Sequence, residues 1–234
     1  MDEVEFDKFV DEYSSLHARN ISASGESPDF FSEYKIRDVA SEVLKGALAP
    51  KSLLDFGSGI GNSVPYIGKY FPDTHLTGTD VSQRSIDFCR KKFPGAADFV
   101  KINGNQLPFP EDGFDLLFSA CVFHHIDHAE HHHWLSELNR VAKVGARLFI
   151  FEHNPLNPLT VSAVRTCPFD ENAHLIPSWT LSRRVASAGW SNVNVRYRIF
   201  FPRALASLRS FEPYLSKVPL GAQYYVSATK VHSA

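Results

Sequence analysis

The sequence predicts an α/β protein with a doubly wound, mostly parallel seven-stranded sheet and helices on both faces. Short apolar runs such as LLDF, LLFS and LFIF lack polar alternation, as expected for strands that are covered on both sides. Helical stretches separate these runs, and that alternation is typical of a parallel sheet. The 234 residues, 44% of them hydrophobic, suffice for one sizeable core.

The expected elements follow one another along the chain. The predicted strands cover residues 52–56, 75–80, 97–102, 114–119, 147–152, 192–199 and 223–229. The last two strands are expected to form a hairpin-like edge. The predicted helices cover residues 1–20, 30–48, 63–70, 83–93, 131–142 and 181–188.

Composition excludes several classes of protein. The formal net charge is −2, and no basic tract suggests a nucleic-acid partner. The apolar runs are much shorter than the roughly 20 residues that cross a bilayer, so membrane insertion is not expected. The acidic N-terminus lacks the pattern of a secretory signal, and three cysteines without a CxxC pair suit a reducing compartment. We therefore expect a cytoplasmic protein.

Charge is distributed unevenly along the chain. Residues 1–50 hold 5 basic and 11 acidic side chains, whereas residues 160–234 hold 9 basic and 3 acidic ones. One explanation is that the two ends pack together through complementary surfaces. The other is that the arginine-rich C-terminal segment faces an anionic substrate.

A glycine-rich loop follows the first strand of the main fold. Gly57, Gly59 and Gly61 alternate with other residues and are followed by a predicted helix. Glycine lets a ligand approach the backbone, and the helix that follows presents its N-terminal amides. Dinucleotide sites use GxGxxG, but Asn62 occupies the third position of that pattern here, so the spacing is GxGxG.

Two acids accompany this loop. Asp55 precedes the first glycine by two residues and would repel a pyrophosphate, but it suits a ligand with an ammonium or sulfonium. Asp80 ends the second strand, where a carboxylate can accept hydrogen bonds from both ribose hydroxyls. The predicted ligand contains ribose and a positive charge but no diphosphate.

Four ordered motifs resemble the class I S-adenosylmethionine (AdoMet)-dependent methyltransferases over roughly residues 50–155. DFGSGIG is similar to the family's first motif and GTDVS to its second. INGNQLPFPEDGFDLLFSACVFHHI is similar to the stretch around the fourth strand, and LSELNRVAKVGARLFIFEHNP to the following helix and strand. The resemblance implies AdoMet as cofactor and S-adenosylhomocysteine as product.

The resemblance also implies roles for individual residues. Asp55 and the backbone of the three loop glycines would hold the methionine end of AdoMet, Asp80 the ribose, and Val81 the adenine. Further cofactor contacts are implied for Asn103, Gly104, Ser119, Ala120 and, in a helical lid, Tyr13. Asn103 stands where the family often has an Asp that accepts from the adenine amino group.

The candidate catalytic residues are His124, His125 and His153. Methyl transfer chiefly needs alignment and exclusion of water, so a general base is optional. His124 and His125 follow the fourth strand and His153 ends the fifth, at the edge where open parallel sheets bind ligands. We predict no metal site, because adjacent histidines in the HHH triplet cannot converge on one ion. Cys121 is expected to pack in the interior.

These observations predict three regions. Residues 1–49 form a helical lid, residues 50–159 the AdoMet-binding core, and residues 160–234 a segment that completes the sheet and shapes the acceptor pocket. The predicted function is methylation of a small molecule, with O-methylation of a sugar, lipid-linked saccharide or aromatic acid favoured. An NAD-dependent oxidoreductase and a non-catalytic AdoMet-binding subunit are the alternatives.

Overall fold

The computed structural model describes residues 21, 24–46 and 48–231, so the helix predicted over residues 1–20 lies outside the described part. Seven strands form one sheet: β1 (Ser52–Phe56), β2 (His75–Asp80), β3 (Asp98–Lys101), β4 (Phe114–Ala120), β5 (Ala142–His153), β6 (Trp190–Arg198) and β7 (Gln223–Lys230). Every strand predicted from the sequence is present. The largest difference is that β5 begins five residues earlier than expected.

The sheet order is β3-β2-β1-β4-β5-β7-β6. β1 to β5 pair in parallel, whereas β7 is antiparallel to both β5 and β6. β6 and β7 do pair as the sequence predicts. However, β7 lies inside the sheet, between β5 and β6, so β6 alone forms the edge opposite β3. The mostly parallel, doubly wound sheet is thereby confirmed.

Seven α-helices are described: α1 (Pro28–Lys45), α2 (Val64–Tyr70), α3 (Gln83–Lys92), α4 (His131–Val141), α5 (Pro158–Arg165), α6 (Ser178–Ser187) and α7 (Glu212–Leu215). Short 3-10 turns cover Phe123–His125, Pro168–Asp170 and Arg203–Phe211. The sequence analysis missed α5, α7 and the 3-10 turns, because these segments are too short to show a clear helical period, and α5 and α7 also contain proline. No described helix is long and apolar enough to cross a membrane.

Successive side chains of each strand enter opposite cores. Leu53 and Phe149 belong to the core under α1, α2 and α3, whereas Leu54 and Leu148 belong to the core under α4 and α6. All four side chains are at most 1% exposed. Both faces of the sheet are therefore covered, which explains the unbroken apolar runs in the sequence.

The two oppositely charged ends of the chain meet on one side of the sheet. Arg198 on β6 donates two hydrogen bonds to the Asp38 carboxylate on α1, at 2.5 and 2.9 Å. Arg209 donates to Glu26 at 2.7 Å. Packing between the ends thus accounts for two of the C-terminal arginines, Arg198 and Arg209.

Removal of one partner from this pair should destabilise the fold. Both side chains are more than four-fifths buried, so Arg198→Met leaves the Asp38 carboxylate without its counter-charge. We expect the free energy of unfolding in urea to fall by about 3 kcal/mol. Asp38→Leu combined with Arg198→Met should recover most of that loss. Lys69→Met, which breaks the more exposed pair with Glu33, should cost much less. Equal losses in the two single variants would contradict this explanation.

Candidate active site

A cavity of about 370 Å³ lies at the carboxyl ends of β1, β2, β4 and β5. The loop after β1 forms one wall, and α1 and α5 form others. Residues of the C-terminal segment complete it, among them Phe200, Pro202 and Gln223. The chain topology makes this position expected, because ligands of open α/β sheets bind outside the carboxyl ends of the strands.

The three positions in the loop require glycine for different physical reasons. Gly57, Gly59 and Gly61 all have positive φ, at 77°, 52° and 75°. A Cβ on Gly57 would lie 2.4 Å from the Val122 side chain, and one on Gly61 would lie 2.6 Å from the Phe93 ring. A Cβ on Gly59 would meet nothing within 4 Å, and Gly59 lines the cavity. Gly59 is thus the position open to a ligand, whereas Gly57 and Gly61 permit close packing.

Asp80 closes the loop onto β2. Its two carboxylate oxygens accept hydrogen bonds from the backbone N–H of Gly59, at 2.8 Å, and of Ser82, at 2.9 Å. The N–H groups of Gly57 and Ser58 both donate to the Thr79 carbonyl at 2.8 Å. Asp80 is therefore held in position at the cavity wall.

Asp55 is a buried carboxyl in the same cavity. It is 2% exposed, and its Oδ2 has no hydrogen-bond partner among the described residues. Burial, with a smaller effect of the Asp80 charge, raises the pKa of Asp55 to about 7. The Ser58 hydroxyl lines the cavity and is likewise buried without a partner. Because buried polar groups are normally satisfied, these atoms fit a polar ligand that supplies the missing hydrogen bonds.

Lys35 on α1 brings a positive charge to the cavity, and the sequence analysis missed it. Its side chain is 8% exposed and lines the cavity, with its Nζ 5.6 Å from the centre of the Tyr34 ring. No carboxylate within residues 24–46 and 48–231 forms an ion pair with it. Only the position of α1 across the strand ends reveals this lysine, because its sequence context is that of an ordinary amphipathic helix.

The three candidate catalytic histidines converge. His125 and His153 line the cavity, whereas His124 is 1% exposed and lies behind them. The ring centres of His124 and His125 are 4.2 Å apart, and those of His124 and His153 are 5.3 Å apart. Burial lowers the pKa of His125, and the nearby His124 lowers it further.

Two carboxylates that the sequence analysis did not select surround His124. Its Nδ1 lies 2.5 Å from Glu152 Oε2, and its Nε2 lies 3.6 Å from Asp170 Oδ1. Burial alone would lower the pKa of His124, but Glu152 and Asp170 outweigh it and hold that pKa well above its usual range. Asp170 comes from a 3-10 turn more than forty residues away, so no local motif could have indicated it.

Cys121 lies in the cavity wall with a φ of 59°. Burial would raise the pKa of its thiol, but Lys35 and a hydrogen bond with His153 outweigh burial and leave the pKa below its usual value. The expectation that Cys121 merely packs is therefore incomplete, since it is part of the polar wall beside His153.

Some of the remaining predicted cofactor residues line the cavity and others do not. Val81 and Ala120 line the cavity, with Ile102 beside Val81. Ser119 is buried behind the wall, and Asn103 and Gly104 are exposed and do not belong to the lining. Tyr13 lies outside the described residues. Ile102, the residue before Asn103, is the one that lines the cavity, and the cofactor role of Asn103 stays a prediction.

The fold and the site together define an α/β protein with a nucleoside-type pocket. Residues 54–150 match the family described as a methyltransferase domain. The solved structure of a SAM-dependent methyltransferase from Thermotoga maritima, described as a possible histamine N-methyltransferase, matches with a TM-score of 0.65 at 18% identity. That match covers 97% of this chain and 99% of that structure, and it concerns the fold.

Two curated relatives match part of the chain. A fatty-acid O-methyltransferase of Mycolicibacterium smegmatis is 27% identical over 54% of this chain and 46% of its own length. A phthiotriol/phenolphthiotriol dimycocerosates methyltransferase of Mycobacterium tuberculosis is 28% identical over 48% of this chain and 41% of its own length. The chain thus spans less than half of these relatives. Residues 54–150 match a methyltransferase domain, in agreement with the resemblance of the sequence motifs to class I AdoMet-dependent methyltransferases.

The packing role of Gly61 can be separated from its backbone conformation. Gly95→Ala supplies the control, because Gly95 has a φ of 73° and a Cβ there would meet nothing within 4 Å. We expect Gly95→Ala to lower the free energy of unfolding by about 1 kcal/mol, since it adds strain alone. Gly61→Ala must also displace the Phe93 ring and should cost about 2 to 4 kcal/mol. Urea denaturation of both variants measures this, and equal losses would refute a packing role for Gly61.

Proposed function

We propose that this protein transfers the methyl group of AdoMet to an oxygen of a small acceptor with a large apolar part, such as a fatty acid. The observation that carries the proposal is that one cavity is lined by both charged and apolar residues. Asp55, Asp80 and Lys35 form the charged part of the lining, and α5 and the C-terminal segment contribute an apolar part.

Each charged residue of the lining suits a particular part of the cofactor. Asp80 would accept from the ribose hydroxyls, and Val81 and Ile102 offer apolar surface for the adenine. Asp55 would pair with the ammonium of the methionine end, and Lys35 with its carboxylate. AdoMet supplies a methyl group on a positively charged sulfur, so the reacting carbon is already activated. The protein then has to hold the two reactants in line and exclude water.

The apolar part of the cavity lining favours an acceptor with a hydrocarbon body. Leu159, Ala163 and Val164 of α5 line it together with Phe200 and Pro202. No arginine of the described residues lines the cavity, which makes a sugar nucleotide with its phosphates a poorer match. The names of the two curated relatives, a fatty-acid O-methyltransferase and a methyltransferase of a long-chain lipid, point the same way.

The acceptor group decides whether a base is needed. A carboxylate is ionised at neutral pH and can accept the methyl group without losing a proton. A hydroxyl acceptor would require a proton acceptor, and His125 and His153 are the candidates because both line the cavity. His124 would act through them, since it lies behind the wall.

Two ligands separate the roles of the charged residues. S-adenosylhomocysteine carries the amino-acid end, whereas 5′-methylthioadenosine has the same nucleoside and sulfur without it. We expect Lys35→Met and Asp55→Asn to weaken the binding of S-adenosylhomocysteine by about tenfold or more, because each removes one charged hydrogen bond. The affinity for methylthioadenosine should stay nearly unchanged. Asp80→Ala should weaken both ligands. Isothermal titration measures these constants, and tighter binding of NAD than of either ligand would favour the oxidoreductase alternative.

Asp55 also predicts a pH dependence. With a pKa of about 7, its carboxyl is largely neutral at pH 6 and ionised at pH 7.5. Since an ammonium binds the ionised form better, the Kd of S-adenosylhomocysteine should fall by up to about tenfold over that interval. Asp55→Asn should remove this trend, and methylthioadenosine should not show it in the wild type. A trend that persists in Asp55→Asn would assign it to another group.

The acceptor class can be tested with a panel of fatty acids, aromatic acids and sugars and radiolabelled AdoMet. Fatty acids should yield base-labile methyl esters. Ala163→Asp places a charge in the apolar part of the lining and should lower kcat/KM by tenfold or more, because burial of an unpaired carboxylate is costly. Ser162→Asp, on the exposed side of the same helix, is the matched control. Methylation of sugars alone would overturn the acceptor class, and cofactor binding without turnover on any acceptor would favour the non-catalytic alternative.

A further inference from the structure

A buried cluster of histidine and carboxylate groups stands beside the proposed cofactor residues and has no role in binding AdoMet. It consists of His124, His125 and Asp170, with Glu152 behind His124. We infer that this cluster is a binding site for a single divalent transition-metal ion, of the kind that zinc occupies. The inference goes beyond methyl transfer, and it differs from the prediction from the sequence that there is no metal site.

Two of the three spacings between the donor atoms are close to those of a tetrahedral site. His125 Nε2 lies 3.3 Å from Asp170 Oδ1, and His124 Nε2 lies 3.6 Å from the same oxygen. All three atoms lie within 4.8 Å of one another. Two ligands at zinc bond lengths of about 2.0 to 2.1 Å in tetrahedral geometry are about 3.3 to 3.4 Å apart. One ion can therefore bind all three atoms with only small side-chain adjustments.

The orientation of His124 fits a metal ligand. Its Nδ1 faces the Glu152 carboxylate at 2.5 Å, which leaves Nε2 as the metal-facing nitrogen. That Nε2 is buried and makes no hydrogen bond within 3.5 Å among the described residues. A carboxylate that orients a histidine through its second nitrogen is a common arrangement around zinc. The other Glu152 oxygen accepts from the Phe123 N–H at 2.8 Å, so Glu152 is itself held in place.

The two turns that carry the ligands are tied to each other. The His174 N–H donates to the His124 carbonyl at 2.8 Å, and the Asp170 N–H donates to the Cys167 carbonyl at 3.1 Å. The first hydrogen bond joins the segment after Asp170 to the turn that contains both histidines, and the second closes the Asp170 turn itself. The ligand geometry is thus supported by the backbone and does not depend on the side chains alone.

Charge balance also favours a dication. Glu152 is 0% exposed and Asp170 is 7% exposed, so two negative charges are buried with a single imidazole between them, that of His124. Buried charges are costly unless they are paired or bind a metal. A divalent ion would neutralise both carboxylates.

The site is accessible from one side. His125 and Asp170 line the cavity, whereas His124 and Glu152 do not. An ion can enter from the cavity, and its fourth coordination position would open toward the proposed acceptor space. Three protein ligands with one open position is the arrangement of catalytic rather than structural zinc sites. A role in orienting an acceptor oxygen depends on the proposed function, but metal binding itself does not.

The test uses the full chain after chelator treatment and dialysis, without AdoMet or acceptor. Zn²⁺ is titrated against a chromophoric chelator, and Co²⁺ is added separately for its visible spectrum. We expect one equivalent of Zn²⁺ with a Kd below 1 μM, the intense Co²⁺ bands of a tetrahedral site, and a raised Tm with Zn²⁺. Failure to bind Zn²⁺ at micromolar concentration would overturn the inference.

Three variants distinguish this cluster from adventitious binding. Asp170→Asn and His125→Ala should weaken Zn²⁺ binding by about a hundredfold, and Glu152→Gln should weaken it by about 10- to 100-fold. The double variant His132→Ala with His133→Ala removes two exposed histidines outside the cluster and should leave the affinity unchanged. Loss of binding in this double variant but not in Asp170→Asn would overturn the proposed site.

Folding and function are controlled separately. Circular dichroism and S-adenosylhomocysteine binding report whether each variant is folded. If the cluster variants do not fold, the Co²⁺ spectrum of the wild type decides, because octahedral binding at exposed histidines gives only weak bands. A protein that binds Zn²⁺ in this way but does not bind S-adenosylhomocysteine would refute the proposed function and leave the metal site standing.

Discussion

Burial of both faces of the parallel sheet is the constraint on which the rest of this structure depends. Helices cover each face, and alternate strand residues such as Leu53 and Leu54 are withdrawn into opposite cores. Groups that bind ligands are therefore restricted to the strand ends, where the chain leaves the sheet. Asp55 on β1, Asp80 on β2 and His153 on β5 all occupy that edge. The cavity is thus a consequence of the way the core is closed.

Close packing of the loop around Gly59 prepares the site for its ligand. Gly57 and Gly61 let Val122 and the Phe93 ring approach the backbone, and this packing holds the loop in position. The Asp80 carboxylate then accepts from the Gly59 N–H. A rigid wall of this kind costs stability in positive-φ residues and unpaired buried oxygens, and such costs are typical of functional sites.

The cavity contains buried charge of two kinds. At the cofactor end, Asp55 and Lys35 each lack a protein partner of opposite charge among the described residues, which suits a ligand that carries both charges itself. Beyond it, His124 lies between Glu152 and Asp170, so the carboxylates already have partners. The unpaired Asp55 and Lys35 suit a zwitterionic organic ligand, whereas the cluster around His124 suits a cation.

The sequence by itself determined the sheet, the glycine loop and the acids at the strand ends. These features are local, because strand patterning and a turn that needs glycine are both readable within a few residues. Only the tertiary structure decided the rest: Lys35 reaches the cavity because α1 crosses the strand ends, Ile102 lines the cavity, and Asp170 meets His124 and His125 from a distant turn. No spacing rule connects such residues. Their encounter depends on how helices and loops pack after the sheet has formed, and that packing is non-local.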